Sequence, residues 1–400
     1  MPFLIRSSRL TQSVLGRLRR FWLDVHLWLG VGLFVALVPL GVSGAFLVWH
    51  DPIDAMIHPH RFAVSEGDTT LAASAYLDAA RKAYGDRAVV TQLRLPQEAG
   101  DPVIASGRLN GPPPAPGQRP RSLTAWIDPA TGKVLDVADT RDELINIMHR
   151  LHGSLLITAP GLGRKIVGWL GWAMTLSCLT GLWLWWPRNG RVLKGLRWRR
   201  SPSTMNNLHH LFGFWVLVPL LLVSLTGVYI SFPETSRKVF GVAPPAESPA
   251  RGRQPKGAPR GPNNAPPLAA PNLPIDMAVA AAMAEKPGAR LSAISLPTEG
   301  KRPSWRIQFA GEGHVLPASV QVSDADGAIV RGRGGPGQPD ALSRRMRKIH
   351  DAQDTPFIWQ VLVFLTGVAP PLLGVTGTVM WLRRRSRRTH LKTLQSSPAE

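Results

Sequence analysis

Residues 27–49 read LWLGVGLFVALVPLGVSGAFLVW, an unbroken apolar run without a Lys, Arg, Asp or Glu. About 20 helical residues cross the roughly 30 Å hydrocarbon core of a bilayer, so the run is long enough to span one. Three further blocks, 166–186, 208–232 and 357–382, lack charge in the same way. The 400-residue chain is 44% hydrophobic, a value that alone would suit a soluble protein. The average conceals the division: the expected fold is an α-helical membrane protein with four transmembrane helices, at 22–49, 164–186, 208–232 and 357–382.

The formal net charge of +21 could suggest nucleic acid as a partner. The distribution of Lys and Arg excludes that and points to the lipid bilayer instead. Basic residues crowd segments 1–21, 187–207 and 383–400, with Arg6, Arg9, Arg17, Arg19 and Arg20 in the first and Arg383, Arg384, Arg385, Arg387 and Arg388 in the last. The positive-inside rule puts these three in the cytoplasm, both termini included, and leaves the long mixed-charge segments outside. In a bacterial cell that means the inner membrane and the periplasm. The first apolar run exceeds a signal-peptide h-region and no small-residue cleavage site follows it, so it is expected to stay as an anchor. Cys178 is the only cysteine and lies in the second span. Disulfides in the external segments, iron–sulfur clusters and Cys-x-x-Cys-His haem attachment are thereby excluded.

The two halves of the chain look duplicated. His26-Leu27-Trp28-Leu29-Gly30 matches His209-His210-Leu211-Phe212-Gly213, and at equal distances follow Ser43-Gly44 and Thr226-Gly227. The even-numbered spans correspond through Thr180-Gly181 and Thr376-Gly377. Small pairs at these depths let helices approach closely. Pro39, Pro219 and Pro370-Pro371 are expected to kink their helices.

Each external segment offers one helix followed by short strands. In residues 50–140 the periodicity predicts a helix over 71–84 and strands over 89–95, 102–108, 122–127 and 134–137, with Asp128-Pro129-Ala130-Thr131-Gly132-Lys133 as a turn. In residues 275–340 it predicts a helix over 276–285 and strands over 291–296, 304–309, 319–322 and 328–331, with Asp324-Ala325-Asp326-Gly327 as the equivalent turn. Two external α+β domains are expected from this. Amphipathic helices should occupy 141–163 and 341–356. The Pro-rich stretches 111–120 and 233–274 read as insertions or linkers.

Histidine placement carries the chemistry. His26 and His209 open helices on the cytoplasmic side, while His152 and His350 precede helices on the external side. Two pairs at two depths result. Paired neutral imidazoles on facing helices suit a six-coordinate b-type haem, and two such haems would make an electron path across the bilayer. A single histidine at a helix end reads more simply as an interfacial side chain without a ligand. Four in register through a repeat favour haem.

The remaining histidines rank lower. His149, three residues before His152, is the rival external ligand, and His210 is a spare beside His209. His50, His58 and His60 suggest a solvated junction rather than a metal site, because their spacing is flexible and Pro intervenes. His314 and His390 read as incidental. Trp183, Trp185 and Trp186 read as an interfacial belt. Arg344, Arg345, Arg347 and Lys348 stand before His350 against the charge rule, either as a cationic surface for an anionic substrate or haem propionates, or as an amphipathic helix on lipid headgroups.

Across most of its length the chain resembles the PepSY-associated transmembrane helix family. The resemblance rests on His26-Leu27-Trp28-Leu29-Gly30, Trp126-Ile127-Asp128-Pro129-Ala130-Thr131-Gly132-Lys133, Leu151-His152-Gly153-Ser154, Leu179-Thr180-Gly181-Leu182-Trp183, Leu208-His209-His210-Leu211-Phe212-Gly213 and Ile349-His350. It implies bacterial inner-membrane location and PepSY-like periplasmic domains. Family members include di-haem ferric-siderophore reductases, so it also implies electron transfer from the cytoplasmic side, or from quinol, to a periplasmic ferric chelate. The haem-contacting histidines of the family map to His26, His209, His152 and His350. Ile349-His350-Asp351-Ala352-Gln353-Asp354 lacks the Gly-rich form of the family at this point.

A flavin or nicotinamide site is not expected, because no Gly-x-Gly-x-x-Gly follows a strand and the cytoplasmic segments are short. An unidentified cytoplasmic reductase or a quinol must then donate the electrons. A second class of function is non-enzymatic, with the external domains binding or regulating a periplasmic protease or sensing envelope state. A transporter role ranks last, because the spans contain almost no charge for an ion pathway.

Overall fold

The computed structural model describes residues 2–65, 71–112, 121–186, 201–241, 265–300, 302–311, 318–330, 341–353 and 355–396. Most of the first Pro-rich stretch, most of the basic 187–207 loop, the centre of the 233–274 linker and His314 lie outside them. The chain forms two compact units. One comprises residues 1–49, 148–240 and 341–400, and the other residues 50–147 and 241–340.

The first unit is helical. Its long helices are α1 (Pro2–Val48), α5 (Leu162–Trp185), α6 (Thr204–Ser231) and α10 (Phe357–Ser396). Four stretches within them, Gly16–Val48, Leu162–Trp185, Thr204–Ser231 and Phe357–Ser386, are long and apolar enough to cross a membrane. The basic N-terminal segment continues α1, and the basic C-terminal segment continues α10, so charge changes along these helices without a break in the backbone. Large apolar side chains such as Val35, Trp169, Trp215 and Ile358 point outward, the reverse of a soluble bundle and the arrangement lipid requires. Pro39, Pro219, Pro370 and Pro371 lie inside helices.

Helix α1 packs against α5 and α10, and α6 packs against the same two, which sets α1 and α6 on a diagonal. Glycine permits the tightest crossing. A Cβ at Gly41 of α1 would collide with the Gly367 carbonyl of α10, and one at Gly367 would stand 2.6 Å from the Gly41 carbonyl. Met174, Cys178, Val216, Leu220 and Ala369 fill the bundle centre. Three shorter helices belong largely or wholly to this unit: α4 (Leu144–Ser154), α7 (Pro233–Val239) and α9 (Ala341–Asp351). Helix α4 is followed by Leu155 and Leu156, and α9 by Ala352, all three in the left-handed region that non-glycine residues rarely adopt.

The second unit is α+β. Helix α2 (His50–Ile57) and a 3-10 turn, Pro59–Phe62, lead into α3 (Ala73–Tyr84) and strands β1 (Ala88–Arg94), β2 (Val103–Leu109), β3 (Ser122–Ile127) and β4 (Val134–Ala138). The later segment supplies α8 (Ile275–Glu285), β5 (Leu291–Ser295), β6 (Ser304–Phe309) and β7 (Ala318–Ser323). These agree with the expected elements to within two residues. The fourth strand of the later segment is reduced to a bridge between Val322 and Ile329. Arg331, the last residue of that expected strand, lies outside the described residues.

Expected as two domains, the segments share one antiparallel sheet in the order β4-β3-β2-β1-β5-β6-β7. The joint is β1 on β5, with Leu93 opposite Ile294. Pairing these strands removes two exposed edges that separate domains would each have to protect. Helices α3 and α8 cover the sheet, and Tyr76, Tyr84, Leu93, Ile127, Ile294, Trp305, Ile307 and Phe309 share one core. The two equivalent turns each bury an aspartate. Asp128 accepts from Ser65 N and Oγ and from Thr131 Oγ1, and Asp324 accepts from Asn272 N, Leu273 N and Trp305 Nε1. Each aspartate thus ties a turn to the chain entering the helix of its own half.

Candidate functional site

The helical unit brings the four singled-out histidines together as two facing pairs. His26 of α1 and His209 of α6 meet across the bundle diagonal, ring centroids 6.2 Å apart and planes at 85°. His152 of α4 and His350 of α9 face each other at 6.0 Å with planes at 47°. The two levels are separated along α1 by the rise from His26 to Gly44, about 27 Å of helix.

Each ring donates to a backbone carbonyl of a neighbouring helix. Nδ1–H of His152 donates to the Leu40 carbonyl at 2.9 Å and that of His350 to the Val223 carbonyl at 3.0 Å. The Nδ1–H groups of His26 and His209 find the carbonyls of Ser177 and Leu373. Three residues beyond each carbonyl stands a hydroxyl. Thr180 Oγ1 lies 3.0 Å from His26 Nδ1, Thr376 Oγ1 3.0 Å from His209 Nδ1, Thr226 Oγ1 3.1 Å from His350 Nδ1, and Ser43 Oγ 3.5 Å from His152 Nδ1. The next residue is glycine each time. A Cβ there would stand 3.2 Å from His26 Cε1 at Gly181, 3.4 Å from His209 Cε1 at Gly377, 3.0 Å from His350 Cε1 at Gly227 and 2.8 Å from His152 Cε1 at Gly44.

A carbonyl can only accept, so Nδ1 carries a proton, and in the neutral ring Nε2 then keeps its lone pair. The hydroxyls agree. Each already donates back to its own helix, Thr180 to Leu176, Thr226 to Leu222, Thr376 to Leu372 and Ser43 to Pro39, and so has only a lone pair to offer the ring. Burial pulls the pKa of His152 and His350 far below the usual imidazole value, to about 4, with the neighbouring imidazole adding to the shift at His152 and Arg347 adding to it at His350. Both rings of this pair are neutral, the form that ligates a metal.

The spacing fits haem. Two imidazoles bound through Nε2 on opposite sides of one iron, each at about 2 Å, have ring centres about 6 Å apart. Among the described residues there is no group of three or more His, Cys, Asp or Glu placed to hold a metal ion.

The rival residues are placed differently. His152 rather than His149 supplies the ring that faces His350, and the side chain of His149 is exposed. His209, not His210, faces His26. His50, His58 and His60 lie near separate carboxylates, Asp51, Asp54 and Asp136. Trp183 and Trp186 are exposed, whereas Trp185 is buried and stacks on Phe214 at 4.3 Å. The Ser/Thr-Gly pairs are visible in sequence as small residues at matching depths, but the helix that each one serves is not.

A curated relative, an uncharacterized protein of Pseudomonas aeruginosa, is 26% identical over 276 residues, covering 60% of this chain and 64% of the relative. The chain therefore spans a little under two-thirds of the curated relative it matches. Residues 23–384 match the family described as the PepSY-associated TM region, and by that span, which takes in all four helices and both histidine pairs, the chain belongs to this family.

Proposed function

We propose that this protein carries electrons across a bacterial inner membrane through two b-type haems, one between His26 and His209 and one between His152 and His350, and delivers them to a ferric chelate in the periplasm. The observation that carries the reading is the fourfold cradle: four rings with Nδ1–H bound to backbone, in two facing pairs with centroids about 6 Å apart. Haem, when bound, supplies a one-electron iron couple at each level. The chain's own residues supply ligand basicity through Nδ1–H and an apolar bundle centre of Met174, Val216, Leu220 and Ala369 that excludes water between the levels.

The positive-inside rule supports an orientation for this path. The Arg-rich ends of α1 and α10 mark the cytoplasmic side, where a quinol or a cytoplasmic reductase donates, and the His152–His350 level then faces the periplasm. Ferric siderophore-like chelates are the acceptors that the family resemblance suggests. One electron converts Fe(III) to Fe(II), and hard oxygen donors hold the softer ion less tightly, so reduction releases the metal for uptake.

The test is an absorption spectrum of the full chain in mild detergent, before and after dithionite, with a pyridine haemochromogen count. A reduced b-type spectrum with about two haems per chain is expected. A colourless protein that takes up no added haem would overturn the reading and move attention to the sheet unit as a binding or regulatory module.

A further inference from the structure

The four cradles are not identical, and the difference coincides with the ring angles. At His26, His209 and His350 the Nδ1–H is shared between a carbonyl and a threonine hydroxyl at 3.0–3.1 Å. At His152 the carbonyl of Leu40 is in place at 2.9 Å, but Ser43 Oγ stands back at 3.5 Å and is drawn to the Pro39 carbonyl at 2.6 Å. The N–H bond lies in the plane of the imidazole and off the Cβ–Cγ axis, so a second acceptor on the same helix restricts rotation about that bond more tightly than one acceptor alone. The pair held by threonine on both sides has its planes at 85°, and the pair with Ser43 on one side has them at 47°.

We infer that Thr180, Thr376 and Thr226 are positioning residues that set the ring planes of His26, His209 and His350, and that Ser43 exerts no comparable hold on His152. The inference rests on the haem reading above and extends it to the electronic character of the two sites. In low-spin ferric haem, perpendicular axial rings leave the two dπ orbitals nearly equal in energy and give a highly anisotropic paramagnetic resonance signal with a large principal g value. Rings nearer parallel split those orbitals and give a more rhombic signal. The His26–His209 site should be the anisotropic one. Hydrogen bonding to Nδ1–H also makes the imidazole more basic and lowers the reduction potential, so loss of a threonine hydroxyl should raise the potential of its own site alone.

The experiment uses the full ferric chain in detergent, with haem counted in every sample, paramagnetic resonance spectra recorded and potentials titrated. Thr180→Val and Thr376→Val should keep both haems, alter only the anisotropic signal and raise only its potential. Thr226→Val should alter only the other signal, and Ser43→Ala should leave both as in the wild type. Should Thr180→Val lose the inner haem outright, recovery of haem and signal in Thr180→Ser would support the same role, and failure to recover would overturn it. With both haems bound, unchanged spectra and potentials in the threonine variants, or an effect of Ser43→Ala equal to that of Thr226→Val, would overturn the inference and leave the haem reading standing. A wild-type chain devoid of haem would overturn both.

Discussion

Gly44 on α1 lies against the imidazole of His152, so close that a methyl group added there would stand 2.8 Å from Cε1 and 3.1 Å from Nδ1. The same contact recurs at the other three rings, but with increasing room, 3.0 Å at Gly227, 3.2 Å at Gly181 and 3.4 Å at Gly377. Alanine substitution should therefore be graded. Gly44→Ala must displace His152 and should abolish or severely weaken haem at that level. Gly227→Ala and Gly181→Ala should have intermediate effects, and Gly377→Ala should be tolerated. Haem content and the reduced spectrum of the four single variants check the order. Equal loss in all four, or none at Gly44, would show that the glycines serve helix approach and not the rings.

Much of this was legible beforehand, for physical reasons. A charge-free run such as 208–232 has few alternatives to a spanning helix, and four histidines repeated at matching depths are hard to obtain by chance. The pairing of His152 with His350 over His149 was left open in sequence, because three residues on one helix face differ by a small rotation. Thr180-Gly181 was legible as a site of close approach, but a sequence does not say that His26 on α1 will be the group that approaches it. The single sheet was hidden for a similar reason. The β1–β5 joint pairs Gln92 with Ser295 across two hundred residues, and neither strand carries a mark that distinguishes an edge from a centre.

Because His152 is half-buried and faces His350 while His149 is exposed, the two should separate cleanly on substitution. His152→Ala is expected to reduce the haem count from about two to about one, and His149→Ala to leave it unchanged. The same contrast should hold between His209→Ala and His210→Ala at the other level. Haemochromogen counts on the four variants decide this. Loss at His149 or His210 instead would mean that the rings rotate when the cofactor is taken up.

Asp128 gives the sheet unit an acid dependence. Burial alone would raise its pKa, but donors from Thr131 and Ser65 outweigh that and hold the carboxyl below the usual range. With the folded value depressed, the stabilisation is complete above the unfolded carboxylate value of about 3.9 and is lost as pH falls through the folded one. Asp136, next to Arg61, and Asp139, next to Arg121, are lowered too and act in the same direction. Asp128→Asn should cost about 1–3 kcal/mol at neutral pH, since an amide offers one acceptor atom to a set of donors that two oxygens now share. Hydrogen exchange of β3 peptides, followed from about pH 7 to about pH 3 with correction for the intrinsic rate, should show wild-type protection collapsing in acid and the variant starting lower with a shallower fall. Parallel curves would reject the assignment.

Arg61 is only 3% exposed, although it bears a charge. Its Nε donates to Asp136 at 2.8 Å, its two terminal nitrogens donate to Glu143 at 3.0 and 2.6 Å, and its guanidinium lies 3.9 Å from the centre of the Trp126 ring. The planar fork meets one carboxylate with two parallel bonds and still has Nε left for a second, a geometry that an ammonium group cannot reproduce. Removing it takes from Asp136, Glu143 and the nearby Asp54 the guanidinium that they share. Arg61→Ala should therefore destabilise the sheet unit by about 3 kcal/mol, and Arg61→Lys should recover less than half of that. Exchange of β4 amides, which flank Asp136, is the direct readout. Full rescue by lysine would show that charge alone holds the cluster, and an unaffected β4 would remove Arg61 from the structural core of this unit.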